Sequence, residues 1–389
     1  MVGRWRALLF ISTAILCALS LWFSASVIAD ELVLRWRVAD SIKAWLSAAV
    51  PAGFVIGAFC SALFGLADRF NARTIFALSA LLGAVINCLL LFTDSALAGI
   101  TIRVLTGIVL AGVYPVAVKL LAGWFPQRRG TALGILIAAL TIGSAFPHLI
   151  RGFTSNVDWQ IIVISSSVLA LLAAMIMQFL LKDAPHTAPK TPFSLSHLKD
   201  VVKNKRIMLA NYGYLGHVWE LYAMWTWIPV FFAASHPIAS AQFIAIWSFI
   251  TIGIAGAIGC VVGGLLSDKI GRANVTILSM IISGICAVSI GFTFGGQWAL
   301  TIVFAITWGV SIIADSAQYS AAVAEAADEA YVGTALTFQM CLGFLLTIVS
   351  INLIPLLQQI VGWQWVFSFL AVGPAIGIVY MVRFKRFQS

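Results

Sequence analysis

Apolar residues run along this chain in long unbroken stretches, parted by short polar segments, and they do not alternate with polar residues at every second position. A run of about 20 apolar residues matches a hydrocarbon layer about 30 Å thick, because a helix rises about 1.5 Å per residue. Twelve such runs are read near residues 7–29, 44–67, 74–93, 98–122, 131–152, 160–181, 207–233, 242–266, 274–295, 298–323, 333–356 and 364–383. Continuous apolarity predicts membrane-spanning helices and argues against a barrel, whose strands alternate between lipid and lumen. The expected fold class is an all-α polytopic membrane protein with 12 transmembrane helices in two six-helix bundles.

The one long polar stretch, 182–206, begins Lys182, Asp183, Ala184, Pro185 and divides the runs six and six. The expected organisation is an N-terminal bundle over 1–182, a cytoplasmic linker over 183–205 and a C-terminal bundle over 206–389. The halves repeat each other. Gly130, Thr131, Ala132 and Leu133 recur as Gly333, Thr334, Ala335 and Leu336; Trp159 and Gln160 recur as Trp363 and Gln364; Asp68 and Arg69 recur as Asp268 and Lys269. The offsets of 203, 204 and 200 residues keep one order, which makes the chain an internal duplication. Two bundles related by a pseudo-two-fold axis along the membrane normal follow as an expectation.

Composition agrees with this pattern. Of 389 residues, 61% are hydrophobic and 10% charged, with a mean hydropathy of +1.02, too apolar for one or two soluble cores. With both termini placed in the cytoplasm, 18 of the 23 Lys and Arg fall on that side, Arg35, Arg37, Lys43 and Arg151 fall outside, and Arg103 lies within a span. That is a positive-inside bias. It accounts for the net charge of +9, so no nucleic-acid partner is required. Arg4 and Arg6 before an apolar run could mimic a secretory signal, but the run is too long, and it is read as the first span. All six cysteines fall inside expected spans without metal-like or paired spacing.

Spans 2 and 8 carry small residues at four-residue spacing: Gly53, Gly57, Ser61 and Gly65 in one, Gly256, Cys260 and Gly264 in the other. Such a face lets helices approach closely in lipid. Tight packing and a sliding surface predict the same residues.

The loop after span 8 reads Gly264, Leu265, Leu266, Ser267, Asp268, Lys269, Ile270, Gly271, Arg272. So short a connection needs a residue tolerant of positive φ, supplied by Gly271, and Asp268 can accept from orphan amides at a neighbouring helix start. The copy after span 2 has Phe64 in place of the leading glycine, Gly65 one later, and Asn71 in place of the second glycine; Asn tolerates a left-handed conformation, so the turn is expected to survive. Asp68, Arg69 and Arg73 hold its charged positions. Span 4 reads Arg103, Gly107, Gly112, Tyr114, Pro115, followed by Trp124, Phe125, Pro126, Gln127, Arg128, Arg129, Gly130. These segments resemble the loop and span 4 signatures of the major facilitator superfamily, and the layout resembles that family over the whole chain.

The resemblance implies secondary transport by alternating access, with the charged loops as a conformational gate in which Asp68 lies near Gly333 and Thr334. By the repeat, Asp268 would lie near Gly130 and Thr131. It also implies a role for Arg103 in proton or substrate handling. The Gly-Pro signature of drug antiporters in span 5 is poorly matched by Gly143 and Pro147.

Charges at membrane depth cost at least about 2.5 kcal/mol on insertion scales and need a partner or a wet cavity. In span 7, His217 and Glu220 share a face with Gly213, Met224 and Trp227, and Glu220 lies near midspan. They are read as a substrate or proton-coupling site or as an internal pair that stabilises the bundle. In span 10, Ser311, Asp315 and Gln318 form a polar stripe that suits a site, a gate or packing. Arg103 could face a cavity with Gly107 and Tyr114 or snorkel outward. Thr13, Cys17, Ser20 and Ser24 form a mild polar seam in span 1, and Trp22, Trp225 and Trp227 could wall a solute cavity or anchor the chain at the interface. His148 and Arg151 are expected at the outer surface.

No phosphate-binding loop is present, which excludes an ATP-driven pump, and His217, Val218, Trp219, Glu220 lacks the second His of a zinc protease, so an enzyme is not expected. No cofactor or metal is called for. The expected function is movement of a small organic solute, such as one bearing an anionic group paired with Arg103 or His217. A proton gradient is the expected drive, since buried Glu and His can change charge near physiological pH. The alternative is proton-coupled efflux of multidrug or amphipathic compounds through Glu220, Asp315 and an aromatic cavity. The expected partners are a small-molecule substrate, protons and the lipid bilayer of a plasma membrane, such as a bacterial inner membrane, with the chain acting as a monomer.

Overall fold

The structure is a computed structural model that describes residues 2–125, 129–154, 158–185, 194–328 and 330–387. Among these the secondary structure is helical throughout. The first half holds α1 (Val2–Leu19), α2 (Ala29–Trp36), α3 (Ile42–Leu63), α4 (Leu66–Arg69), α5 (Ala72–Cys88), α6 (Ala96–Leu110), α7 (Tyr114–Trp124), α8 (Arg129–Phe153) and α9 (Trp159–Met175). The second holds α10 (Leu198–Lys203), α11 (Lys205–Ser235), α12 (Ala241–Phe249), α13 (Gly256–Ile270), α14 (Arg272–Ser289), α15 (Trp298–Ala314), α16 (Ser316–Ala326), α17 (Val332–Trp365) and α18 (Val372–Lys385). They form two compact units, 1–190 and 191–389.

Among the described residues, nine helical stretches are long and apolar enough to cross a membrane. One of them, Val332–Lys385, runs for 54 residues. It turns at Gly362, whose φ is 72°, and so carries two of the expected spans. The 31-residue α11 and the 18-residue α1 stand where spans 7 and 1 were expected. Twelve spans are consistent with this set. Large apolar side chains such as Leu82, Val85, Ile164 and Val168 stay exposed on the outer faces of α5 and α9, a surface that suits lipid and not water.

The first span departs from its expected limits. The helix stops at Leu19 and residues 20–28 are turns, although the sequence stays apolar there. Serine hydroxyls explain the break. Ser20 Oγ donates to the Cys17 carbonyl at 2.7 Å and Ser24 Oγ to the Leu21 carbonyl at 3.0 Å, offering the backbone partners other than the helix ladder. The chain then re-enters α2, which buries Ala29, Leu32, Val33 and Trp36. Trp36 donates to the Thr93 carbonyl at 3.1 Å.

Spans 4 and 10 are each interrupted. Residues 111–113 separate α6 from α7, and Asp315 separates α15 from α16. Gly112 and Asp315 are 203 residues apart, the offset between Gly130 and Gly333, so the duplication has preserved the break.

Small residues set the closest helix crossings. A Cβ on Gly107 would meet the Val50 carbonyl and one on Gly53 the Val104 carbonyl, so α3 and α6 touch backbone to backbone. The second unit repeats this crossing between α13 and α15, but on Gly259 and Gly263, which face the Val310 and Ala314 carbonyls. The expected stripe of Gly256, Cys260 and Gly264 is thus displaced by one face, and a Cβ on Gly264 meets nothing within 4 Å. In the first unit the stripe ends early: α3 stops at Leu63, and Gly65, at φ 60°, starts α4 instead.

A branched side chain at such a crossing pushes two backbones apart, an overpacking cost of about 1–3 kcal/mol. Gly259→Val is therefore expected to lower the thermal unfolding midpoint of the purified protein in detergent, whereas Gly264→Ala leaves it unchanged. Equal midpoints for the two variants would refute the assigned face.

Candidate functional site

In the second unit α11 runs unbroken and packs against α17 and α18. Small residues allow this: a Cβ on Gly216 would meet the Gly373 carbonyl on α18. Nineteen of its residues are buried, with Glu220 at 1% and His217 at 2% exposure. The two share a helix face but do not pair with each other. The Glu220 carboxylate accepts from Trp308 Nε1 of α15 at 2.5 Å and from Ser283 Oγ of α14 at 2.9 Å. Both partners are neutral, so the charge of an ionised Glu220 is left uncompensated by them.

His217 turns to the break in span 10. Its Nδ1 lies 2.9 Å from Asp315 Oδ1, and Tyr319 donates its hydroxyl to Asp315 Oδ2 at 2.7 Å. The His217 ring packs on Tyr319 at 5.4 Å and on Tyr214 at 6.2 Å between centroids. Ending α15 at Ala314 places the Asp315 carboxylate inside the unit. Helices α11, α14, α15 and α16 thereby bring two carboxylates and one imidazole into the buried interior.

The stripe expected on span 10 separates into three environments. Asp315 joins His217. Ser311 donates to its own helix, to the Thr307 carbonyl at 2.9 Å. Gln318 accepts from Arg272 Nη1 at 3.1 Å, and Arg272 also donates to Glu325 from Nε at 2.9 Å and Nη2 at 2.6 Å. Trp227 donates to the Ile351 carbonyl at 3.0 Å and stacks near Trp363, which pins α11 to α17. Trp225 is buried and meets Tyr222 edge-on.

Trp308, Ser283 and Tyr319 were not expected as site residues. Trp308 lies seven residues before Asp315 and three before Ser311, so it extends the same stripe by one turn. Ser283 ends a four-residue ladder with Ser279, both buried on α14. These periodicities were the available signal.

In the first unit Arg103 is fully buried, and the outward snorkelling considered from sequence does not occur. Its Nη1 donates to the Leu21 carbonyl at 3.0 Å, Ser24 Oγ at 3.1 Å and Asn87 Oδ1 at 3.4 Å. Its Nη2 donates to the Trp22 carbonyl. The guanidinium thus satisfies the carbonyls freed where span 1 breaks. Asn87 extends the network to Ser167 Oγ at 2.9 Å and the Val163 carbonyl at 3.2 Å. Asn87 and Ser167 were missed in the sequence reading. The Trp22 ring packs on Phe54 at 5.8 Å. The face expected to join Arg103, Gly107 and Tyr114 is cut by the break at 111–113, and Tyr114 opens α7 beyond it. His148, expected at the surface, is 5% exposed, while Arg151 pairs with Glu31 at 2.6 Å.

The charged loops differ in backbone as well as in partners. Gly271 has φ 83°, as its position requires. Asn71 does not take a left-handed conformation; at φ −63° it caps α5, its side chain accepting from the Arg73 and Thr74 amides. Arg73 pairs with Asp183 at 3.0 Å and donates to the Leu181 carbonyl. Arg69, Asp268 and Lys269 are exposed. The side chains of Asp68 and Arg129, and residues Pro126, Gln127 and Arg128, lie outside the described residues.

The Probable sulfoacetate transporter SauU of Cupriavidus necator (strain ATCC 17699 / DSM 428 / KCTC 22496 / NCIMB 10442 / H16 / Stanier 337) is 24% identical over 223 residues, covering 53% of this chain and 51% of that one. The Niacin transporter NiaP of Acinetobacter baylyi (strain ATCC 33305 / BD413 / ADP1) is 27% identical over 172 residues, covering 42% of this chain and 36% of that one. The chain thus spans between about a third and a half of the length of these curated relatives. The fold is similar to that of the xylose transporter XylE from E. coli, with a TM-score of 0.75 at 14% identity, over 98% of this chain and 99% of that one. The Major Facilitator Superfamily model matches residues 8–351, and with that match added to the helical layout and the repeated breaks, the chain belongs to this superfamily.

Proposed function

We propose that the chain is a proton-coupled secondary transporter that moves a small organic solute by alternating access, with Glu220 as the proton-carrying group. Glu220 supports this reading because it is a carboxylate buried halfway along α11, the helix that stands where span 7 is expected, held by two neutral donors. Burying an unpaired charge in a low-dielectric interior is costly. The group therefore carries a proton while the site is closed and exchanges it when the site meets water, which ties proton movement to the conformational cycle. His217, one turn away on the same helix face, pairs with Asp315 and completes the polar interior of the unit. Arg103 is occupied by backbone carbonyls and acts in this reading as a positioning residue for the broken first span.

Sulfoacetate and niacin, after which these relatives are named, are small organic acids, which makes that class the first to test. Amphipathic cations, which the two buried carboxylates would also suit, form the comparison set. The proposed location is a plasma membrane with both termini and the 183–205 linker in the cytoplasm, in keeping with the positive-inside bias.

Glu220→Gln keeps shape and hydrogen bonding while removing titration. In proteoliposomes it is expected to abolish gradient-driven accumulation while substrate exchange across the membrane continues. Accumulation with an unaltered pH dependence would make Glu220 a packing residue. For the orientation, Lys199→Cys in α10 places a thiol on an exposed position. A membrane-impermeant maleimide is expected to label it in inside-out vesicles and not in intact cells; labelling in intact cells would invert the topology.

A further inference from the structure

A cleft of about 320 Å³ lies where the start of α11 meets the end of α18, lined by Lys205, Leu209, Arg383, Arg386 and Phe387. Three of these five residues are cationic and none is acidic. Lys205, Arg383 and Arg386 are all exposed. Aromatic rings orient two of the cations: Lys205 Nζ sits 5.1 Å from the Phe387 ring centre and Arg383 Cζ 5.8 Å from that of Tyr380. The first amides of α11 are already taken, since the Asn204 side chain accepts from Arg206 and Ile207. An anion in the cleft would therefore be held by side chains.

The depth of the cleft narrows the class of anion. Tyr212 and Tyr380 pack ring on ring at 4.7 Å, and Tyr212 stands seven residues into α11 from Lys205, roughly 10 Å along the helix. Tyrosines mark the boundary between headgroups and hydrocarbon. The cations thus stand at headgroup level, one to two turns above an aromatic step. The half-exposed Phe387 ring gives the cleft an apolar wall. Cationic groups over an apolar wall, where the start of α11 meets the end of α18, fit a phosphate that carries acyl chains better than a soluble anion.

We propose that this cleft is a binding site for the phosphate headgroup of an anionic phospholipid, gripped by Lys205, Arg383 and Arg386, with its acyl chains directed past Tyr212 and Tyr380. The site is independent of the coupling role of Glu220.

The test titrates the purified full chain in neutral detergent with phosphatidylglycerol, phosphatidylcholine or glycerol phosphate and reads bound lipid by native mass spectrometry. Phosphatidylglycerol is expected to bind in preference to phosphatidylcholine. Arg383→Gln with Arg386→Gln should weaken it roughly 30-fold and Lys205→Gln alone about fivefold, at about one such step per cation removed. Arg6→Gln with Lys199→Gln, which removes the same charge elsewhere, should leave it unchanged. Retention of phosphatidylglycerol by the Arg383/Arg386 variant at the level of the unmodified protein would overturn the proposal. Displacement of the lipid by an equal concentration of glycerol phosphate would overturn it also, by making the cleft a soluble-anion site.

Discussion

Within hydrocarbon no water is available to a backbone or side-chain polar group, so each must find its partner inside the protein or make its site wet. That constraint organises both units. Where span 1 unwinds after Leu19, the carbonyls it releases are met by the guanidinium of Arg103 and by serine hydroxyls. Where span 10 breaks at Asp315, the buried carboxylate is met by His217 and Tyr319. In the first unit the irregular backbone and the buried cation occur together because the guanidinium satisfies the released carbonyls; in the second the break carries its carboxylate to side-chain partners.

Duplication carried the architecture but not the chemistry. Both units keep a break in their fourth span, at Gly112 and at Asp315, and both keep a glycine-lined crossing between their second and fourth spans. The charged loops likewise keep their arginines, yet Arg73 closes on Asp183 and the end of span 6 while Arg272 closes on Glu325 and Gln318 of span 10. In the first unit the polar core is a cation whose two terminal nitrogens are engaged by neutral acceptors. In the second it is a carboxylate engaged by neutral donors, beside a separate His217–Asp315 pair. A guanidinium tied at both terminal nitrogens stabilises one geometry. A carboxylate that can gain or lose its compensating proton suits a group that must change state.

Much of this was legible in the sequence because it rests on local rules. Length and continuity of apolar runs set the helices, the offsets of paired motifs revealed the repeat, and Gly271 required its positive φ. Glu220, His217, Asp315 and Arg103 stood out because ionisable groups are rare at membrane depth. What was not legible depends on rotation of helices about their own axes and on distant partners. Periodicity put His217 and Glu220 on one face, but which neighbour each meets is decided by α14, α15 and α16. The stripe on span 8 was assigned to Gly256 and Gly264 when Gly259 and Gly263 make the contact. Residues 20–28 read as helix from hydropathy, since hydropathy is blind to serines that compete for carbonyls. Asn71 was placed in a left-handed turn and instead caps a helix, a role its side chain fills equally well.

In the proposed cycle the Glu220 carboxyl group holds a proton in the closed interior and yields it as the site opens. Infrared spectroscopy of the purified protein in lipid reads this directly, through the carbonyl stretch of a protonated carboxylic acid and its shift in heavy water. A protonated-carboxyl band is expected at neutral pH, lost in Glu220→Gln and retained in Asp315→Asn. A wild-type spectrum without that band, or a band that survives in Glu220→Gln, would contradict it.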